Sequence, residues 1–177
     1  DESRDRLHGN GGPDQIDGGL GNDNIWGGSG DDTLRGQEGP DNVFGQDDQD
    51  HIFGDVGDDD AYGGNGGDEI FGGAEEDDLV GGPGEDDIFG GTEADVLMGD
   101  DGTIDDGDVS DDPGSSTDEN DASKTETPSE TIGNGDDMFG DTGDDRMFGE
   151  GGQDEMHGGS DVDFMHGNGD VDTMFGD

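Results

Sequence analysis

Aspartate recurs in this sequence at intervals of nine residues, and this spacing is its strongest chemical signal. Fifteen segments of nine residues align, ten from Gly9 to Met98 and five from Thr131 to Phe175, and each has aspartate at its sixth position. Ionised carboxylates are hard oxygen ligands, which Ca²⁺ binds at about 2.3–2.6 Å. The spacing therefore predicts an array of metal ligands formed by Asp14, Asp23, Asp32, Asp41, Asp50, Asp59, Asp68, Asp77, Asp86, Asp95, Asp136, Asp145, Asp154, Asp163 and Asp172.

The other positions of the repeat predict how these carboxylates are held. Position one is glycine in fourteen segments, Thr131 being the exception, and positions two and four are often glycine as well. Glycine permits positive φ, so the backbone around the aspartate can turn tightly. Position eight is apolar in every segment, being Ile, Leu, Val or Ala in the first ten and Met in the last five. Positions seven to nine therefore predict a short strand that directs one side chain into a core.

The combined pattern G-G-x-G-x-D-x-U-x resembles the RTX, or haemolysin-type, calcium-binding repeat. The resemblance implies an all-β fold, a right-handed parallel β-roll (a β-solenoid) in which two repeats make one turn. It also implies multiple Ca²⁺ ions, roughly one per repeat, between the loops of successive turns. In that arrangement backbone carbonyls join the position-six carboxylates, from loop residues such as Gly19, Gly21, Gly28, Gly30, Gly64, Gly66, Gly82 and Gly84.

Several repeats depart from the pattern in their loops. Acidic residues replace glycine at position four in several repeats, as at Asp48, Glu75 and Glu93. At position two, Gln37 replaces glycine in one repeat and Asp55 in another. Aspartate and asparagine tolerate positive φ better than glutamate does. We therefore expect the metal sites near Glu75 and Glu93 to be the weakest.

The net charge excludes several classes of function. Five Lys and Arg stand against 53 Asp and Glu, which gives a formal charge of −48, and only 22% of residues are apolar. Such a charge repels nucleic acid and anionic membrane surfaces, and no apolar run is long enough for membrane insertion. The acids also oppose any compact state unless cations neutralise them. We therefore expect the chain to be unfolded without Ca²⁺ and folded with it.

The periodicity divides the chain into three parts. Residues 1–98 form a β-roll block of ten repeats, and residues 131–177 form a block of five that continues the same roll in our interpretation. Residues 99–130 lack periodic apolar residues and are rich in Asp, Ser, Thr and Pro, which predicts a disordered acidic loop. If the roll is continuous, Met98 pairs with Phe148 and Phe89 pairs with Phe139.

Position nine is often aromatic, and its side chains should point away from the core. Seven of the eight Phe occupy it, as do Trp26 and Tyr62. These residues would form two ladders along the roll. One interpretation is local stacking between neighbouring strands. The other is a docking surface for a neighbouring domain or for self-association.

These features predict a binding module rather than an enzyme. The sequence contains no cysteine, no Ser-His-Asp arrangement and no zinc-protease motif, although a catalytic domain elsewhere in a longer parent protein remains compatible with it. The resemblance implies a bacterial protein, secreted by a type I system or held at the cell surface, that folds on meeting extracellular Ca²⁺. The alternative is an adhesive or self-assembling surface roll, such as a surface-layer or stalk segment, that uses the aromatic ladders.

Overall fold

The computed structural model describes residues 3–99, 135–149, 153–167 and 171–176, and within these ranges the chain forms sixteen strands and no helix. The strands make two parallel sheets of eight. Sheet A contains β1 (Arg6–Gly11), β3 (Asn24–Ser29), β5 (Asn42–Asp47), β7 (Asp60–Asn65), β9 (Asp78–Val80), β11 (Val96–Met98), β13 (Arg146–Phe148) and β15 (Phe164–His166). Sheet B contains β2 (Gln15–Leu20), β4 (Thr33–Glu38), β6 (His51–Val56), β8 (Glu69–Ala74), β10 (Asp87–Thr92), β12 (Asp137–Thr142), β14 (Glu155–His157) and β16 (Thr173–Phe175).

Consecutive strands alternate between the two sheets, so every turn of the chain adds one strand to each. Within the first block, paired residues lie eighteen positions apart, as in Ile25 with Val43 and Ile16 with Leu34. Two nine-residue repeats therefore make one turn, and the chain forms a β-solenoid of about seven turns. This confirms the predicted all-β parallel roll.

The core is a single layer of position-eight side chains between the sheets. Strand geometry directs positions seven and nine outward and position eight inward, which places one apolar residue of each repeat in the interior. The residues of this layer with at most 1% exposure are Ile25, Leu34, Val43, Ile52, Ala61, Ile70, Leu79, Ile88, Leu97, Met138, Met147 and Met156. Leu7, Ile16 and Met165 pack against them from positions that are only partly buried.

The strands on the two sides of residues 100–134 pair with each other. In sheet B, Phe89 of β10 pairs with Phe139 of β12, and in sheet A, Met98 of β11 pairs with Phe148 of β13. Both pairs join residues at position nine of their repeats. The predicted acidic loop, apart from Gly99, and the start of the repeat at Thr131 lie outside the described residues.

Outward-facing aromatic side chains stack along the roll. On sheet B, Phe53, Phe71 and Phe89 form near-parallel pairs with ring centroids 5.0 and 4.7 Å apart. On sheet A, Trp26 stacks on Phe44 at 5.8 Å. The rings thus cover each other's faces and leave mainly their edges exposed, which is the contact expected from local stacking.

No helix in the described part of the chain is long and apolar enough to cross a membrane.

Candidate metal centre

The position-six aspartates form two columns along the roll. We call column A the aspartates in the loops that lead into sheet A, and column B those in the loops that lead into sheet B. Column A consists of Asp5, Asp23, Asp41, Asp59, Asp77, Asp95, Asp145 and Asp163. Column B consists of Asp14, Asp32, Asp50, Asp68, Asp86, Asp136, Asp154 and Asp172.

Each column is held by a repeated hydrogen bond. The backbone N–H of one aspartate donates to Oδ1 of the aspartate one turn further on, as from Asp41 to Asp59 at 2.8 Å and from Asp77 to Asp95 at 2.9 Å. The backbone carbonyl of Asp41 accepts from the N–H of Asp60 at 2.9 Å. One carboxylate oxygen and both backbone polar groups of such an aspartate are therefore used by the protein itself, and the side chain is fixed in place.

The second carboxylate oxygen, Oδ2, accepts no hydrogen bond from the protein at ten of these aspartates. It is shielded from solvent and has no hydrogen-bond partner at Asp14, Asp23, Asp32, Asp41, Asp50, Asp59, Asp68, Asp77, Asp95 and Asp145. Burying an anionic oxygen without a partner is costly, and buried charges are normally paired or bound to metal. A row of such oxygens is what a bound cation would satisfy.

In the fourteen repeats that begin with glycine, this position-one glycine lies directly against Oδ2. A Cβ atom at Gly18 would lie 2.8 Å from Oδ2 of Asp23 and 2.8 Å from the carbonyl oxygen of Gly36, one turn further on. Any larger residue at position one would collide with both atoms. The glycine thus leaves room for a carboxylate oxygen and a carbonyl oxygen from the next turn, which are two hard oxygen donors, to lie against the same point of the backbone.

The loop backbone adopts positive φ at positions two and four, as glycine permits. This holds for Gly19, Gly21, Gly28, Gly30, Gly64, Gly66 and Gly82 of the predicted carbonyl donors, but Gly84 is not among the residues with positive φ. The non-glycine residues of these two positions follow the same path, at Asn10, Gln37, Gln46, Asp48, Asp55, Glu75, Glu93, Asp141 and Asp161. Ligation of an ion by the carbonyls stays a prediction.

Glu75 and Glu93 show how a departure from glycine is accommodated. Their φ angles are 85° and 74°, so the two loops predicted to hold the weakest metal sites keep the positive φ of the other loops. The Glu93 carboxylate accepts hydrogen bonds from the Thr92 hydroxyl at 2.7 Å and from the Glu75 N–H at 3.1 Å. These bonds lower the pKa of Glu93, the hydroxyl bond most. The side chain thereby ties two turns together at a place where glycine could not.

Burial raises the pKa of several aspartates in the columns. Desolvation raises the pKa of Asp59 and Asp95 to about 7 and that of Asp77 to about 8, against a smaller lowering by the N–H bond to Oδ1. The pKa of Asp50 also rises to about 7, and those of Asp41, Asp68 and Asp145 rise to about 6. The ionised columns are therefore unfavourable near neutral pH without a cation, because neighbouring carboxylates repel as well.

The donor set fits a hard divalent cation. In the described ranges, no three acidic or imidazole side chains converge on one point. The oxygen donors on hand are the buried carboxylate oxygens and the nearby backbone carbonyls, and oxygen ligands are what Ca²⁺ takes. Without cysteine, a soft-metal thiolate site is excluded.

All fifteen predicted aspartates lie in the two columns, and the structure adds two features that the sequence interpretation missed. Asp5 is the first member of column A, since its N–H donates to Oδ1 of Asp23 at 2.7 Å. Its position nine residues before Asp14 could have revealed it. The other feature is the position-one carbonyl of the next turn, such as that of Gly36, which lies against Gly18 as Oδ2 of Asp23 does. Nothing in the pattern distinguishes that carbonyl from its neighbours.

Comparison with protein families gives one result. A family described as RTX calcium-binding nonapeptide repeat (4 copies) matches residues 1–34, 26–61, 35–70, 62–97, 132–165 and 156–177. These matches cover most of the chain, and both blocks of repeats take part. No curated protein and no solved structure matched the chain.

Proposed function

Because the chain belongs to the RTX calcium-binding nonapeptide repeat family, we propose that it is a structural module that Ca²⁺ folds outside the cell. Calcium binding by a non-catalytic roll follows from the family and the fold. The observation that supports calcium as the folding switch is the row of buried Oδ2 atoms without partners, as at Asp41 and Asp59. A metal-free roll carries this burial cost at each such aspartate, whereas a bound ion removes it.

We assign about one ion to each repeat, between the loops of successive turns, with Oδ2 of position six as the carboxylate ligand. Allowing for the ends, about twelve ions bind, and their charge of about +24 offsets roughly half of the −48. The same aspartate thus serves two purposes. Its Oδ1 fixes the turn through a backbone N–H, and its Oδ2 binds the ion that neutralises the turn.

The location and timing of folding belong to the same proposal. RTX repeats are typical of secreted bacterial proteins. A chain of this charge stays unfolded while free Ca²⁺ is scarce inside the cell, which suits export in an extended form. Extracellular calcium-binding modules have dissociation constants on the order of 10⁻⁴–10⁻³ M, so folding would follow release into a calcium-rich medium.

Circular dichroism with a calcium titration tests this function. In EGTA at neutral pH we expect the spectrum of an unfolded chain, and Ca²⁺ on the order of millimolar should produce a β signal. Mg²⁺ is the matched control. It demands tight octahedral geometry and holds its waters, so it should substitute poorly. Equal β content in EGTA and in Ca²⁺ would show that calcium does not drive folding.

A further inference from the structure

One repeat of the roll is built from residues that lie far apart in the sequence. In an uninterrupted repeat, the position-one glycine lies beside the aspartate five residues later. A Cβ atom at Gly140 would lie 2.9 Å from Cγ of Asp145, and one at Gly90 would lie 3.1 Å from Cγ of Asp95. The residue in the same place beside Asp136 is Gly99, where a Cβ atom would lie 3.0 Å from the Asp136 Cγ.

Gly99 is also bonded into the roll as a position-one residue. Its N–H donates to the carbonyl of Phe148 at 3.0 Å, and its carbonyl accepts from the N–H of Gly82 at 2.9 Å. In the uninterrupted roll, Gly81 likewise donates its N–H to the carbonyl of Met98. Gly99 therefore lies between the turn before the intervening residues and the turn after them.

Asp136, which follows the intervening residues in the sequence, is hydrogen-bonded into column B like the other aspartates of that column. Its Oδ1 accepts from the N–H of Asp86 at 2.9 Å, and its own N–H donates to Oδ1 of Asp154 at 3.1 Å. Its side chain is fully buried. The hydrogen bonds of column B are thus unbroken between Asp86 and Asp136, although these residues lie fifty positions apart in the sequence.

We propose that Gly99 and Asp136 belong to a single repeat interrupted by the residues between them, and that the calcium site of this repeat forms only when the two flanks meet. The sequence agrees, because Gly99-Asp100-Asp101-Gly102 has the letters of positions one to four and Gly135-Asp136-Asp137-Met138-Phe139 those of positions five to nine. Gly99, and not Thr131, is then position one. The identity of the ion rests on the proposed function.

A consequence is that calcium joins two parts of the chain. The parts contact each other through two strand pairs, β10 with β12 and β11 with β13, and through core neighbours such as Ile88 with Met138. Column B also crosses the joint, so aspartates of both parts, which carry negative charge when ionised, lie close together there. Without a cation these charges oppose association, and with one they become shared ligands. The covalent link between the flanks is then dispensable once calcium is bound.

The chain offers a direct test, because Lys124 is its only lysine and lies between the flanks. A lysine-specific protease, applied in EGTA, should produce fragments 1–124 and 125–177. Size-exclusion chromatography and native mass spectrometry then measure their association. We expect a one-to-one complex in saturating Ca²⁺ that dissociates in EGTA.

Other results would overturn the proposal in distinguishable ways. Fragments that elute separately in Ca²⁺ would show that the flanks do not share a repeat, and the calcium-induced β signal of the uncut chain would still support the proposed function. Fragments that associate as strongly in EGTA as in Ca²⁺ would show that calcium does not hold the two flanks together. An uncut chain without any calcium-induced β signal would refute the proposed function itself.

Matched variants locate the effect in the interrupted repeat. Asp136→Asn keeps a side-chain oxygen that can accept the Asp86 N–H but removes the charge, and Asp23→Asn makes the same change far from the joint. The first should weaken fragment association by about tenfold or more relative to the second. Gly99→Ala should weaken it by about tenfold, because the added Cβ collides with Asp136. Thr131→Gly should change nothing. A stronger complex from Thr131→Gly, with no effect of Gly99→Ala, would make Thr131 position one.

Discussion

The first ten repeats and the last five carry the same aspartate columns over different cores. Position eight is Ile, Leu, Val or Ala in the first region and Met in the second, yet Ile70 and Met147 are both completely buried. The column hydrogen bonds continue from one region to the other, as from Asp95 to Asp145 at 2.9 Å. The columns therefore do not depend on which apolar side chain fills the core position.

The two regions differ in how well their turns are enclosed. Most strands of the first region have six residues, whereas β13 to β16 have three each. Asp163 and Asp172 are half-buried, unlike the fully buried Asp59, and Met174 is 47% exposed. Methionine is also more flexible and has a lower strand preference than Ile or Val. The second region should therefore depend more strongly on bound calcium and on its neighbouring turns.

Gradual removal of calcium should have the largest effect, and it should unfold the second region before the first. As free Ca²⁺ falls, amide hydrogen exchange followed by mass spectrometry should show residues 135–176 losing protection before residues 3–99. The reason is that a repeat array opens from its least stable turns. The calcium-saturated chain is the control. Earlier loss of protection in residues 3–99 would contradict the comparison.

Lowering the pH should partly restore folding in the absence of calcium, and the first region should respond at a higher pH than the second. A carboxyl whose pKa is raised on folding stabilises the folded state below its ordinary pKa and loses this effect as pH rises through the raised value. The raised pKa is about 8 for Asp77 and about 7 for Asp59, but about 6 for Asp145. In EGTA, lowering the pH from about 8 to about 5 should therefore increase the β signal and exchange protection.

The same titration in saturating Ca²⁺ is the control for acid folding. Bound calcium holds the carboxylates ionised, so acidification there should displace ions and not add structure. A β signal in EGTA that decreased on acidification would mean that the columns are not desolvated in the metal-free fold.

Single aspartate substitutions should have a smaller effect that depends on the region. Asp59→Ala removes a ligand and also leaves the buried Asp41 N–H without its acceptor, which costs about 1–3 kcal/mol. Asp59→Asn keeps an acceptor and isolates the loss of the ligand. Asp172→Ala, at a half-buried position, should remove fewer ions. Isothermal titration measures the stoichiometry, and identical values for all three variants and the parent would exclude position six as the ligand.

The aromatic ladders should give the smallest effect. Phe71 stacks between Phe53 and Phe89, so Phe71→Leu should lower the free energy of unfolding by about 0.5–1.5 kcal/mol for each lost ring pair. Phe148 has a tilted ring contact with Phe164, at 5.9 Å between centroids, and the Arg146 guanidinium lies 5.7 Å from its ring centroid, but no ring stacks on it face to face in the described residues. Phe148→Leu should therefore cost less. Urea unfolding in saturating Ca²⁺ measures both, and an unchanged stability in Phe71→Leu would favour a docking role for the ladder.

Most of the fold could be predicted because the repeat is local and regular. A period of nine places the aspartate, the core residue and the outward aromatic residue of every turn, and the sum of two periods sets the strand register. The same arithmetic gives Met98 and Phe148 the same position in their repeats. The site was predicted only in part, since the pattern marks a carboxylate but not what each of its two oxygens contacts.

The sequence by itself determined the ligand type, the core positions and the number of residues in a turn, because each of these is repeated within a few residues. The tertiary structure decided that Oδ1 of Asp41 accepts from the backbone N–H of Asp23, one turn away, while its Oδ2 is buried without a hydrogen-bond partner. It also decided that Gly99 lies beside Asp136. Both are contacts between residues of different turns or across a long intervening segment. A local period carries no information about them, because they depend on how the turns stack and on which chain ends meet.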